Sequence, residues 1–206
     1  MEDVLLTTKG VQMGTRGAIV FVSGGVEKTV YNHWDSYPSS LGVKMVEWLR
    51  HAGQDLPTLR RRVDALRMVS PDMDPTAEDR ERLSRYADPD VNRGEGWYSL
   101  LRHTQGDPEA ILEAGVAEDV ASFPLDSLFC EWTYVVDLDN ENFEVYKGFQ
   151  DAGPTKGRWS TVSAPNEDGY WPVSQITSWS IAEELSSNIS AAGVMDAVER
   201  ILDAAQ

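Results

Sequence analysis

The densest chemistry in this sequence lies in Tyr31-Asn32-His33-Trp34-Asp35-Ser36-Tyr37-Pro38. His33 and Asp35 are two residues apart. On an extended strand that spacing puts both side chains on one face, where a carboxylate can orient an imidazole as a general base. Arg16, upstream, carries a guanidinium fork suited to a carboxylate or a phosphate. These three are the candidate catalytic residues. Tyr31, Asn32, Trp34 and Tyr37, a mixture of aromatic rings and one amide, are the candidate ligand-binding residues.

The element that must position them is a hairpin. Gly17–Val22 and Val26–Tyr31 are β-rich runs flanking Ser23-Gly24-Gly25, and Gly-Gly between such runs suits a turn with positive φ at both central residues. A two-residue turn at Gly24-Gly25 pairs residues whose numbers sum to 49. Gly14 then faces Asp35, Thr15 faces Trp34 and Arg16 faces His33. Opposed residues share a side of the sheet, so Arg16, His33, Asp35 and Tyr31 are expected on one face, and a slip of one residue would reverse it. Thr15 points the other way. Its chemistry would be that of a threonine nucleophile using its own α-amine as base, with cleavage after Gly14.

Downstream, Leu41, Met45, Trp48, Leu49 and Ala52 recur at helical spacing and predict a helix over 38–52, with Ser39 or Ser40 as cap and Gly53 as stop. A second helix is expected over 57–68. A third, over 77–86, has Asp74 as cap and Pro75 in first position, and its sparse apolar positions, Leu83 and Tyr86, place it on the surface. A short helix at 97–102 and one capped by Asp107-Pro108 follow. Phe129–Asp137 and Asn142–Gly148 alternate as a second hairpin. The loop over 150–169 has one candidate strand at 157–163, and another strand is expected over 173–179. Ser180-Ile181-Ala182-Glu183 reads as a capping box before a helix carrying Val194, Val198, Ile201 and Leu202. The expectation is an α+β fold: an antiparallel sheet from an N-terminal and a C-terminal hairpin, packed against a central group of helices. Residues 1–12 read as an N-terminal extension and 13–206 as a single α+β domain, with a helical segment over about 53–120 between the β regions.

Composition bounds the function classes. The 206 residues carry 34 Asp and Glu against 18 Lys and Arg, a formal net charge of −16. That argues against nonspecific nucleic-acid or anionic-membrane binding, both of which draw on Lys and Arg. One cysteine, Cys130, excludes an internal disulfide, and it reads as a buried strand thiol. Three histidines without paired-ligand spacing, and an Asp137–Asn142 segment lacking a calcium loop's glycine and final glutamate, give no metal or cofactor expectation. No membrane-length apolar stretch or secretion signal is present, so the expected location is cytoplasmic. The sequence says nothing of oligomeric state.

Met13-Gly14-Thr15-Arg16-Gly17 and the Tyr31–Pro38 motif resemble a family of uncharacterised bacterial, phage and fungal proteins. Its members begin Met-X-Thr-Arg and carry a Tyr-(Asn/Cys)-His-(Trp/Phe)-Asp-(Gly/Ser)-Tyr-Pro motif after a hairpin. Thr104–Asp107, Asp126–Trp132, Glu144–Phe149 and Tyr170-Trp171-Pro172 are similar to later parts of the same proteins. The resemblance implies a usual start at Met13 and brings no activity with it.

Two functions fit these residues. One is a small-ligand or hydrolase-like site at the open end of the hairpin. The other is a non-enzymatic acidic interaction protein, phage or host-defence related, which binds a protein partner and uses the motif as a structural corner.

Overall fold

Gly24 and Gly25 sit at φ 60° and 74°, the positive values that a two-residue primed turn requires. The hairpin therefore closes in the expected register, with Ser23 opposite Val26 and Gly17 opposite Asn32. The structure, a computed structural model, describes residues 14–182 and 189–204. In chain order its elements are β1 (Gly17–Ser23), β2 (Val26–Asn32), α1 (Val43–Ala52), α2 (Leu56–Ala65), β3 (Arg67–Val69), α3 (Ala77–Leu83), α4 (Gly96–Leu100), α5 (Pro108–Ala114), β4 (Val116–Glu118), β5 (Trp132–Asp137), β6 (Asn142–Lys147), β7 (Ser174–Ser180) and α6 (Ala191–Ala204).

The five-stranded sheet has the order β2-β1-β5-β6-β7. Both hairpins form, and β7 adds antiparallel to β6. The two hairpins meet through a parallel pair, β1 with β5, so the sheet is mixed and not wholly antiparallel. Every β5 residue is buried, as expected for a strand covered on both faces.

Alternation along the strands builds two cores. Ile19, Phe21, Tyr134, Val136, Phe143 and Val145 face α1, α2 and α6. Ala18, Val20, Val22, Val135 and Tyr146 face the other way, under Trp159 and Val173. A third core, containing Val69, Leu83, Tyr86, Trp97, Leu100, Leu101 and Val116, belongs to the helical segment beside the β2 edge. Leu83 and Tyr86 are buried there, while Ala77, Glu78, Arg80, Glu81 and Arg82 of α3 are exposed, so the helix lies on the surface as its composition suggested, anchored by its few apolar positions. Polar residues cover one side of α3 while these two anchor the other.

Several local expectations change. The second helix stops at Ala65, and Arg67–Val69 becomes a strand paired parallel with Val116–Glu118. Thr76, not Asp74, caps α3, in a reciprocal box with Asp79. No side-chain hydrogen bond caps the turn before α1, which opens as one wide turn over Pro38–Gly42. The 157–163 segment forms turns in place of a strand. Ile201 is exposed while Val194 and Val198 are buried. The expected box at Ser180–Glu183 runs beyond the described residues, as do residues 1–12. Asp107 caps α5 through the Ala110 amide at 3.0 Å, as expected. Among the described residues no helix is long and apolar enough to cross a membrane.

Candidate functional site

The motif divides into two halves by the direction of its side chains. Asn32 and Ser36 turn toward the helices and are buried. The Asn32 amide donates to the Trp34 carbonyl at 2.6 Å and to Ser36 Oγ at 2.7 Å. Tyr134 donates to the Ser36 carbonyl at 2.8 Å. Gly17 lies beneath this clasp, where an added Cβ would stand 2.4 Å from the Trp132 carbonyl and 2.7 Å from Ser36 Cβ. This half ties the chain's exit from β2 to the centre of the sheet. Asn32, a ligand-binding candidate, has its amide nitrogen fully used inside the protein.

Tyr31 and His33 turn the other way, as their i, i+2 spacing requires, and their ring atoms meet: Tyr31 Oη lies 3.0 Å from His33 Nδ1. A second phenol, Tyr98 of α4, lies 3.1 Å from the same nitrogen. Arg102, one turn beyond Tyr98, donates from Nη1 to Tyr98 Oη at 2.8 Å and to Gln105 Oε1 at 2.7 Å. Its guanidinium lies 4.0 Å from the centroid of the Trp34 ring. Trp34 meets His33 edge-on, with centroids 4.3 Å apart. Glu118, the last residue of β4, closes the far side of a cavity of about 20 Å³ that also touches Tyr31 and Tyr98, enough for one water. The sheet edge and the helical segment thus contribute equally to the cluster.

The hydrogen bonds are consistent with the Nε2–H tautomer of His33. Tyr98 accepts from Arg102, which leaves its own hydrogen for His33 Nδ1. The neutral ring then carries its hydrogen on Nε2, which has no partner among the described residues. Burial, Arg102 and Arg16 together hold the His33 pKa below its ordinary value, so the ring is neutral at pH 7. Burial raises the Tyr31 and Tyr98 phenols and the Glu118 carboxyl. Burial thus disfavours the charged forms of the phenols, the imidazole and the Glu118 carboxyl beside the two guanidiniums.

The remaining candidates are placed as follows. Arg16 shares the His33 side, as its pairing predicted, and its guanidinium lies 4.9 Å from the exposed Phe129 ring. Asp35 does not join His33. The β2 ladder ends at Asn32, and Asp35 adopts φ 57°, which breaks the two-residue alternation. Its carboxylate has no hydrogen bond or ion pair among the described residues. Instead it lines a separate crevice with Trp34. Thr15 is fully buried, its hydroxyl has no partner among the described residues, and its carbonyl accepts from Ser36 N at 3.1 Å. Tyr37 is half-buried at the start of the wide turn and lies near Lys147. Cys130 is buried, and its thiol pKa is pushed up to about 12, which suppresses the reactive thiolate.

Tyr98, Arg102, Gln105 and Glu118 were absent from the sequence candidates. The Tyr98–Arg102 spacing, i and i+4 on a short helix, was the one local signal available. Nothing local connects that helix to His33. No protein-family model, curated protein or solved structure gives a match to this chain.

Proposed function

We propose that the open end of the β1–β2 hairpin binds a small anionic molecule, with His33, Arg16 and Arg102 as its recognition groups. The observation that carries this reading is the state of Arg102. It is only 7% exposed, yet no carboxylate pairs with it, and its Nε and Nη2 have no acceptor among the described residues. A buried cation without a counter-charge costs stability. An anionic ligand would supply that counter-charge, with a hydrogen bond from His33 Nε2–H to one of its oxygens. A hydrolase-like step would use the other tautomer, with Nδ1–H donating to a phenol and Nε2 taking a proton from water.

The test is titration of the intact protein with inorganic phosphate, followed by the histidine ring resonances in NMR and by calorimetry. The expected result is saturable binding that shifts His33 and is lost in Arg102→Met. A flat wild-type titration overturns the reading. It would favour the alternative, an acidic interaction protein whose motif is a structural corner, which the Asn32–Ser36 clasp supports.

A further inference from the structure

We infer that the ligand of this site also carries a heteroaromatic ring, the combination found in a nucleoside monophosphate. This inference rests on the proposed anion site and extends it into the neighbouring crevice. Trp34 stands between the two. One part of its ring is covered by the Arg102 guanidinium and another by the edge of His33. The residue is nevertheless 53% exposed, and it forms a wall of a crevice of about 200 Å³ lined also by Asn32, Asp35, Ser40, Lys44 and Gln105.

That volume falls below the roughly 300–1,000 Å³ of pockets that engulf whole small ligands. It suits one ring system, with the rest of the molecule lying outside toward His33. A ring entering there meets an indole already backed by a guanidinium, the stacking arrangement that tolerates any base.

The rim supplies polar recognition. The Asp35 carboxylate and the Ser40 hydroxyl have no hydrogen-bond partner among the described residues, and the Gln105 side chain, which meets Arg102 and Tyr98, borders the same space. An acceptor and a donor-acceptor therefore face the same space, groups able to read the edge of a nucleobase. Asp35 reaches this rim only because its backbone takes φ 57°, a conformation that costs a non-glycine residue energy and that concentrates at ligand sites. The departure from strand geometry that separates Asp35 from His33 gives it this second place. Lys44 is held out of the way by Asp107, 3.0 Å from its Nζ.

The experiment compares AMP, GMP, CMP and UMP with ribose 5-phosphate and inorganic phosphate by calorimetry on the full chain. At least one nucleotide should bind tenfold or more tighter than ribose 5-phosphate. Trp34→Ala should reduce that nucleotide's affinity by at least about fivefold more than it reduces phosphate affinity, fivefold being the low end for losing one stacked base. Trp34→Phe should restore most of the loss. A thermal melt establishes that each variant is folded. Nucleotides binding no tighter than ribose 5-phosphate, with phosphate still bound, would overturn the ring site and leave the anion site intact. Equal loss of phosphate and nucleotide binding in Trp34→Ala would also overturn it, because the ring would then act only by holding Arg102 and His33. If neither phosphate nor any nucleotide binds, both readings fail together.

Discussion

Two arginines in this protein are largely withdrawn from water, and their surroundings differ in kind. Arg158, its side chain 18% exposed, lies over the sheet face opposite the helices and meets three carboxylates. Glu144 accepts from its Nε at 3.0 Å and its Nη2 at 2.8 Å, Asp137 also accepts from Nη2, and Glu27 lies 3.4 Å from Nη1. Tyr146 completes the knot by donating to Glu144 at 2.6 Å. Arg102 meets a phenol, an amide oxygen and an indole, and no carboxylate. The first arrangement is balanced within the chain and pins the 150–173 segment to the sheet. The second has no counter-charge among the described residues. In a protein with a formal net charge of −16, a buried arginine without an acidic partner is the more informative of the two, because carboxylates are plentiful.

The largest effect that tests this contrast is Arg158→Met. It leaves Asp137, 1% exposed, and Glu144, 10% exposed, without their cation. Loss of one partner from a buried pair costs about 3–5 kcal/mol, and denaturant unfolding should show a fall of that order. A change below about 1 kcal/mol would mean that the knot is not a structural pin.

Asn32→Ala comes next. It removes two donated hydrogen bonds and leaves Ser36 Oγ and the Trp34 carbonyl unmatched, which costs about 1–3 kcal/mol. The same denaturant series measures it, and a neutral result would remove the structural role assigned to this half of the motif.

Arg102→Met should do the reverse of Arg158→Met. Two hydrogen bonds and the contacts with the Trp34 and Tyr98 rings are lost, but a charge without a counter-charge among the described residues is lost with them. Stability should change by about 1 kcal/mol or less, while phosphate binding disappears. A loss comparable with that of Arg158→Met would erase the distinction between the two residues.

The smallest effect is in pH dependence. The His33 pKa is lower in the folded protein than in the unfolded chain, so the unfolded chain takes up the proton first as pH falls. The stability linked to His33 is present above about pH 6.5, the unperturbed histidine value, and declines from there toward the folded pKa. Melting temperatures from pH 8 to 5 should fall less steeply in His33→Gln than in the parent. Identical slopes would show that another group carries the dependence.

The hairpin and half of the cluster could be read from the sequence, for a physical reason. A Gly-Gly turn fixes register over seven paired residues, and register fixes faces, so the adjacency of Tyr31 and His33 and the side on which Arg16 lies follow from counting. The Asp107 cap and Gly115 at φ 66° bound α5 by equally local chemistry. Counting failed where the strand ended. The positive φ of Asp35 has no signature in its neighbours, and it turned an expected catalytic pair into two separate positions. The surface position of α3 was legible in its sparse apolar residues, but the partners of Leu83 and Tyr86 in the third core come from β3, α4 and β4, which no spacing within that helix encodes.

By itself, then, the sequence determined the turn, the register and the chemistry of the motif, because each depends on residues within a few positions of one another. Tertiary structure alone decided that β1 would pair in parallel with β5, more than 100 residues away in the chain. It decided also that the helical segment would dock beside the β2 edge, bringing Tyr98 and Arg102 to His33 and Glu118 to the cavity beside Tyr31. Those pairings depend on which buried surfaces fit one another across the whole fold, and no spacing within a single segment encodes that.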